Sequence, residues 1–328
     1  MPSLTSKPVG ATGYGLMGLT WRPEPAPKEQ AFKAMRTALS KGANFWNGGE
    51  LYGTPTYNSL HLLNSYFTQY PEDAEKVVLS IKGAFNSQKF MPDSSPANVR
   101  RSVDECLRVL DGKKFLDLFE CARQDANTPV EATVETLAEY VKAGKLGGIS
   151  LSEVRAETIR RAAKVHPISA VEVELSLWST DILDNGVMDT CAELGIPIVA
   201  YSPLGRGFLT GQIKSIDDIP EGDFRRHMPR FQPDVFSKNL DLVAELQKFA
   251  QAKGCTPAQL ALAWVKSFSG KPGRPTVIPI PGATTEERVL ENMVDVTLTD
   301  RELEEIEKIL KKLPVAGGRY APGHPTET

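Results

Sequence analysis

Asn44-Phe45-Trp46-Asn47-Gly48-Gly49-Glu50-Leu51-Tyr52-Gly53 runs from a short apolar strand into a glycine-bearing turn that presents a tyrosine. The stretch stands second in a series of β-rich segments that alternate with amphipathic helical patterns. Such alternation predicts parallel strands joined by helices. In that arrangement Tyr52 lies at the C-terminal mouth of its strand, the end at which α/β barrels keep their chemistry.

Outward from this stretch, β-rich runs recur near 14–16, 45–47, 77–81, 116–121, 147–151, 171–174, 197–200 and 276–279. Eight strands are what a closed barrel needs. Ser95-Pro96, Thr128-Pro129-Val130-Glu131, Thr256-Pro257-Ala258-Gln259 and Thr299-Asp300-Arg301-Glu302 predict helix starts, three of them with a capping-box acid or amide at the fourth position. No linker divides the chain. The expected fold is therefore a single α/β domain over 1–328, a (β/α)8 TIM barrel with long loops at the C-terminal mouth. The segment from about 202 to 238, rich in Gly, Pro, Arg and Phe, has the length of a binding loop or lid. The tail around Gly317-Gly318-Arg319-Tyr320 is a second candidate for covering the mouth.

Gly13-Tyr14-Gly15-Leu16-Met17-Gly18 spells the dinucleotide fingerprint GxGxxG, but its context is wrong for a doubly wound fold. The fingerprint needs a helix opening on the third glycine. Here Pro23, Pro25 and Pro27 follow closely and predict no immediate helix.

With 41% apolar residues and a formal charge of -3, the 328-residue chain has no global basic field for nucleic acid or an anionic membrane. It shows no run of 18 or more apolar residues and no apolar signal core near its first residues, so the expected setting is the cytoplasm, with the nucleus also open to it. Cys106, Cys121, Cys191 and Cys255 are scattered, as are the four histidines. No metal site is expected from them.

Lys82 ends the strand Val77-Val78-Leu79-Ser80-Ile81 and emerges at the same mouth as Tyr52. An ammonium beside a phenol favours the phenolate and lowers the tyrosine pKa, which suits Tyr52 to general acid work.

Tyr52 and Lys82 in this setting resemble the catalytic pair of the aldo-keto reductases, and the resemblance extends over 15–292. That family writes an aspartate where Asn47 stands, five residues before the catalytic tyrosine, and usually a histidine where Ala122 stands in Asp117-Leu118-Phe119-Glu120-Cys121-Ala122-Arg123. The first departure predicts a Lys82 with no carboxylate to neutralise it, exerting its full field on Tyr52 while the Asn47 amide oxygen accepts a hydrogen bond from it.

The resemblance implies NADPH/NADP+ as cofactor. Gly15, Leu16 and Met17 follow the first strand. Ser152, Glu153 and Glu172 stand where relatives hold the nicotinamide amide, and Tyr201 where an aromatic stacks on its ring. Ser202, Leu204 and Gly205 open the loop that straps the pyrophosphate. Gly282, Thr284, Arg288, Glu291 and Asn292 form the adenosine end, with Thr285 as N-cap and Arg288 beside the 2′-phosphate.

Within the superfamily the chain is most similar to the fungal pyridoxal reductases, on Gly15-Leu16-Met17 through Trp21-Arg22-Pro23, on Trp46-Asn47-Gly48-Gly49-Glu50, on the fourth strand without histidine, and on Gly318-Arg319-Tyr320. The implied reaction is pyridoxal to pyridoxine, with Tyr52 as proton donor, Trp21 and Trp46 as aromatic walls, and Asn47 sparing the anionic ring oxygen a repulsive carboxylate. A generalist aldehyde or aryl-alcohol reductase, and an NADPH-binding regulatory subunit like the β-subunits of potassium channels, are the alternatives. The expected partner is a small-molecule aldehyde, and the sequence does not report an oligomeric state. Arg206, Arg225 and Arg226 are candidates for a phosphate of either substrate or cofactor.

Overall fold

The computed structural model describes residues 4–5, 7–86, 91–324 and 326–327. Eight parallel strands lie in chain order around one sheet: β1 (Tyr14–Gly15), β2 (Phe45–Gly49), β3 (Val78–Gly83), β4 (Leu118–Cys121), β5 (Gly148–Ser152), β6 (Ile168–Glu174), β7 (Ile198–Tyr201) and β8 (Val277–Pro279). Each β-rich run of the sequence is one of these strands. β6 starts earlier than its pattern suggested, at Ile168.

The glycine motif finds its use at the seam. Gly13 N donates to Pro279 O at 2.9 Å and Gly15 N to Pro281 O at 3.2 Å, and Gly15 forms a parallel bridge with Gly282, so β1 meets the last strand and closes the barrel. A Cβ at Gly15 would stand 2.8 Å from Ile280 O, and one at Gly13 2.8 Å from Phe45 O. The glycines permit close backbone approach between strands. A single helical turn, Met17–Thr20, does follow them, contrary to the expectation from the prolines. Those prolines act later, and the chain leaves the helix after Thr20.

Successive side chains of a strand face opposite ways, and β2 shows what that decides. Phe45 points into the barrel, packed with Val78, Leu118, Ala170, Val199 and Ile278, while Leu4 and Val9 belong to the same interior cluster. Trp46 therefore points outward. It is fully buried against Tyr14, Tyr66 and Phe67, and its indole N–H donates to Ala43 O. The expectation that Trp46 walls the substrate pocket is thus corrected: it is core between β2 and the helix Ser59–Gln69. Asn47, on the next residue, faces inward.

Helix punctuation largely follows the sequence. Thr256 and Thr299 make full capping boxes with Gln259 and Glu302, and the Ser95 hydroxyl accepts from Asn98 N. Thr128 does not cap. Its helix begins at Val130 behind Pro129, Thr128 Oγ1 donates to Asp125, and Glu131 pairs with Arg161 instead. The long loop after β7 is a string of 3-10 turns that ends where the helix Pro233–Lys253 starts. Among the described residues no helix is long and apolar enough to cross a membrane.

If the glycines serve closure, Gly15→Ala destabilises the fold by about 1–3 kcal/mol through overpacking at the seam. Gly18→Ala, whose Cβ would meet only Thr284 Cγ2 at 3.8 Å, leaves stability nearly unchanged. Urea unfolding of the two variants checks the contrast, and equal effects would remove the seam explanation.

Candidate active site

Above the apolar layer the inward positions turn polar. Asn47, Lys82, Glu120 and Glu172 are all buried, one from each of β2, β3, β4 and β6. Lys82 and Glu120 are register partners across β3 and β4, and Glu120 accepts from Lys82 Nζ at 2.8 Å. Glu172 forms a second, very short ion pair with the same ammonium. Asn47 ties the group together: its Oδ1 accepts from Lys82 at 3.4 Å and its Nδ2 donates to Glu172 Oε2 at 2.7 Å.

This overturns the expectation of an uncompensated lysine. The Asn47 amide does accept from the ammonium as anticipated, but two glutamates supply the negative charge that an aspartate would have brought. Burial opposes the Lys82 charge, yet Glu120 and Glu172 outweigh it and hold the amine firmly protonated. Two carboxylates facing one cation leave an excess negative charge in the barrel. Burial first, and then Glu120, push the Glu172 carboxyl well above the usual carboxylate range, while Lys82 holds it down.

Tyr52 sits directly over this cluster. Gly49 is the register partner of Lys82, and a Cβ there would stand 2.9 Å from the Tyr52 ring, so the glycine lets the phenol fold back over the end of β2. Thr20 Oγ1 donates to Tyr52 O at 2.7 Å, and Trp21 stacks on the ring at 5.4 Å. The turn between Gly49 and Tyr52 is anchored by Glu50, whose carboxylate binds Arg101 and Ser102 on the helix Pro96–Leu110. The phenol pKa is pushed up to about 12. Burial is the main cause, Lys82 pulls it down, the two glutamates push it up, and Arg123 also lowers it. The expected lowering by Lys82 is present but does not win. Tyr52 is a neutral phenol at neutral pH, and it sits beside an ammonium that can stabilise the phenolate left after proton donation.

The other candidate residues surround the mouth. Ser152, Glu153, Tyr201 and Ser202 lie at or just beyond the ends of β5 and β7, and Glu172 lies inside β6. The Ser152 hydroxyl is buried without a hydrogen-bond partner among the described residues. Glu153 is held by Arg319 at 3.0 Å, and Glu172 is engaged by Lys82 and Asn47 as above. Leu16 and Asn292 are buried, Met17 is half-buried, and Gly15 and Gly282 share the seam bridge. Leu204 packs against the core and Gly205 is in the left-handed region at φ +56°. Thr285 caps the helix Glu286–Asn292, and the exposed Arg288 pairs with Glu291 at 2.7 Å. Thr284 O accepts from Gln30. The loop arginines are committed within the protein: Arg206 to Glu174, Arg225 to Asp223, and Arg226 to the carbonyls of Ile219 and Pro220.

The tail covers the mouth, as its composition suggested. Arg319 reaches Glu153 and Glu174, Tyr320 shares a 2.7 Å hydrogen bond with Tyr201, and Glu327 accepts from Arg155 N and Thr158 at the start of the helix Ala156–Val165. Backbone strain gathers at the same rim. Ala84, Glu153 and Ser202, each immediately after a barrel strand, hold positive φ, at a cost of about 1 kcal/mol or more apiece. A separate groove of about 810 Å³, lined by 8–12 and the end of the helix Lys28–Ser40, lies at the opposite end of the strands, away from this chemistry.

Glu120 and Glu174 were not singled out in the sequence. A charged residue inside an otherwise apolar strand, as in Leu118-Phe119-Glu120-Cys121, was the available signal, because a buried carboxylate requires a partner.

The aldo/keto reductase family pattern matches residues 11–311. The chain belongs to that family. The probable pyridoxal reductase 2 of Schizosaccharomyces pombe is 43% identical over 327 residues, covering 98% of this chain and 97% of its own. The putative pyridoxal reductase of Saccharomyces cerevisiae is also 43% identical, over 331 residues, with 94% and 95% covered. In structure, the glycerol dehydrogenase of Gluconobacter oxydans matches with a TM-score of 0.81 at 23% identity, covering 95% of this chain and 94% of that one, a likeness of fold. As an aldo-keto reductase the protein is an oxidoreductase acting on aldehydes. Members of the family generally use a nicotinamide dinucleotide, and the unpartnered, buried Ser152 hydroxyl at the barrel mouth fits a polar ligand of that kind.

A raised folded-state pKa at Glu172 has a definite sign. Its contribution to stability is complete below the unfolded value of about 4.5, shrinks as pH rises, and is lost once pH passes the folded pKa. Glu172→Gln removes the titrating carboxyl, so its stability falls less than that of the wild type as pH rises above about 5. Urea midpoints measured across pH test this, and parallel curves would mean that Glu172 is ionised in the folded protein.

Proposed function

We infer that the protein reduces pyridoxal to pyridoxine with NADPH. The observation that carries this reading is the neutral Tyr52 phenol set over the Lys82 ammonium at the barrel mouth, in a chain whose full length follows two proteins named as pyridoxal reductases. When bound, a nicotinamide cofactor would supply the hydride for the aldehyde carbon. Tyr52 donates its proton to the oxygen as negative charge develops there, and an alkoxide is the stronger base, so the transfer runs downhill even from a raised phenol pKa. Lys82 stabilises the phenolate that remains, and Glu120 keeps that lysine charged. Trp21, stacked on Tyr52, provides a flat apolar face for an aromatic aldehyde.

Asn47 has a different part from the one its sequence position suggested. Its amide is spent on Lys82 and Glu172 inside the barrel, so it orients the lysine cluster and does not spare a substrate oxygen. For the cofactor, Ser152, Tyr201, Ser202 and Leu204 line the nicotinamide and pyrophosphate side. Gly282, Thr284, Arg288, Glu291 and Asn292 form the adenosine side. NADPH is preferred over NADH because Arg288 presents an exposed guanidinium there. An aldo-keto reductase of Schizosaccharomyces pombe that carries NADP(+) in its name is 38% identical over 323 residues, covering 96% of this chain and 92% of its own.

Oxidation of NADPH with pyridoxal, set against aromatic and aliphatic aldehydes, tests the reading. The wild type is expected to favour pyridoxal, and Tyr52→Phe to lose at least about 100-fold in kcat. Tight cofactor binding without turnover of any aldehyde would instead indicate a regulatory subunit. Arg288→Ala is expected to raise the KM for NADPH roughly 10-fold, the scale of one charge-assisted contact, with the KM for NADH little changed. Equal effects on both nucleotides would remove Arg288 from the phosphate.

A further inference from the structure

The three arginines around Tyr320 are not equivalent. Arg206 is neutralised by Glu174 at 2.9 Å, and Arg319 by Glu153 at 3.0 Å and Glu174 at 3.2 Å. Arg123 has no carboxylate within ion-pair distance among the described residues. Its Nη1 donates to Ala122 O at 2.6 Å and its Nη2 to the Tyr320 hydroxyl at 3.0 Å, while its Nε is buried with no hydrogen-bond partner among the described residues. A guanidinium left this way retains both its charge and a free donor.

Position makes that charge relevant to the reaction. Arg123 stands two residues past the end of β4, behind Ala122, whose backbone N–H is fixed on Gly83 O at 2.9 Å. It lies near enough to Tyr52 for its field to favour the phenolate there. Tyr320 already presents an oxygen carried on an aromatic ring to Nη2. The guanidinium thus already takes a ring-borne oxygen, and a negative one would be bound more strongly than the neutral phenol.

We propose that Arg123 is a specificity residue that binds an ionised oxygen ortho to the carbonyl of the substrate, so that the enzyme selects aromatic aldehydes carrying a neighbouring oxyanion. Pyridoxal is one of these, with its ring hydroxyl adjacent to the aldehyde. The proposal rests on the aldehyde reductase reading and narrows its substrate class. The carbonyl oxygen goes to Tyr52, the ortho oxygen to Arg123, and Trp21 holds the ring plane. The Arg123 cation thus takes over the selection that Asn47, held by Lys82 and Glu172 inside the barrel, does not perform.

The test measures kcat/KM for 2-hydroxybenzaldehyde, 4-hydroxybenzaldehyde, benzaldehyde and pyridoxal in the wild type, Arg123→Gln and Arg123→Lys, with urea unfolding confirming that each variant is folded. The wild type is expected to favour the 2-hydroxy compound over benzaldehyde increasingly as its phenol ionises with rising pH. Arg123→Gln should lose about 10- to 100-fold more on 2-hydroxybenzaldehyde and pyridoxal than on benzaldehyde, with the extra loss mainly in KM. Arg123→Lys should recover part of the loss, which a purely structural role would not produce. Equal losses on all four aldehydes, or none, would overturn the proposal while leaving the reductase reading in place. If the wild type turned over no aldehyde, that reading would fail instead. Binding of 2-hydroxybenzaldehyde, followed by its phenolate absorbance, would then decide the proposal, with weaker binding by Arg123→Gln supporting it and unchanged binding overturning it.

Discussion

A single ammonium inside the barrel organises this protein's chemistry. Lys82 is buried in a closed ring of strands, where an isolated charge would be prohibitively costly, and its presence obliges the neighbouring inward positions to supply acceptors. Glu120, Glu172 and the Asn47 amide meet that demand from three different strands. Because they exceed it by one negative charge, the Glu172 carboxyl is pushed toward its protonated form, and the ammonium keeps a positive end under Tyr52. The phenol above it inherits both influences, raised by burial and the glutamates and restrained by the cations.

The interior is divided by depth. Phe45, Val78, Leu118, Ala170, Val199 and Ile278 form an apolar layer, and further along the same strands the inward side chains become Asn47, Lys82, Glu120 and Glu172. The layer below fixes the strand ends rigidly, so polar groups above it are held without flexible linkers. Above them again, the positive φ values at Ala84, Glu153 and Ser202 show the chain turning sharply as it leaves β3, β5 and β7. Those turns keep the residues that follow close to the mouth, and the tail ties several of them together through Arg319, Tyr320 and Glu327. The rim is a network of guanidinium, carboxylate and phenol groups in which Arg123, unlike Arg206 and Arg319 around the same Tyr320, has no carboxylate within ion-pair distance among the described residues.

Departures from the wider family's catalytic residues are offset within this network. Asn47 in place of an acid would remove a countercharge from Lys82 if nothing else changed, but Glu120 lies in register with the lysine and restores it. Ala122 stands where the family resemblance would give a histidine, and the next residue, Arg123, is a cation whose field reaches Tyr52. The site is thus a redistribution of charge over neighbouring inward and rim positions.

Strand and helix alternation, the capping boxes at Thr256 and Thr299, and the placement of Tyr52 and Lys82 at one mouth were legible because they depend on periodicity and chain order. The barrel itself followed from counting eight such runs. Tertiary structure decided what depends on which strands become neighbours and which way each side chain points. Trp46 and Asn47 differ by one residue and face opposite sides of a sheet, so their roles separated as soon as register was fixed. Glu120 becomes a partner of Lys82 when β3 and β4 pair in register, and Glu172 when the ring closes, a closure that Gly13 and Gly15 allow by lacking side chains. Local pattern sets the elements, because helix and strand periods are local. Electrostatic partnership is set by distances across the barrel, which no local pattern contains.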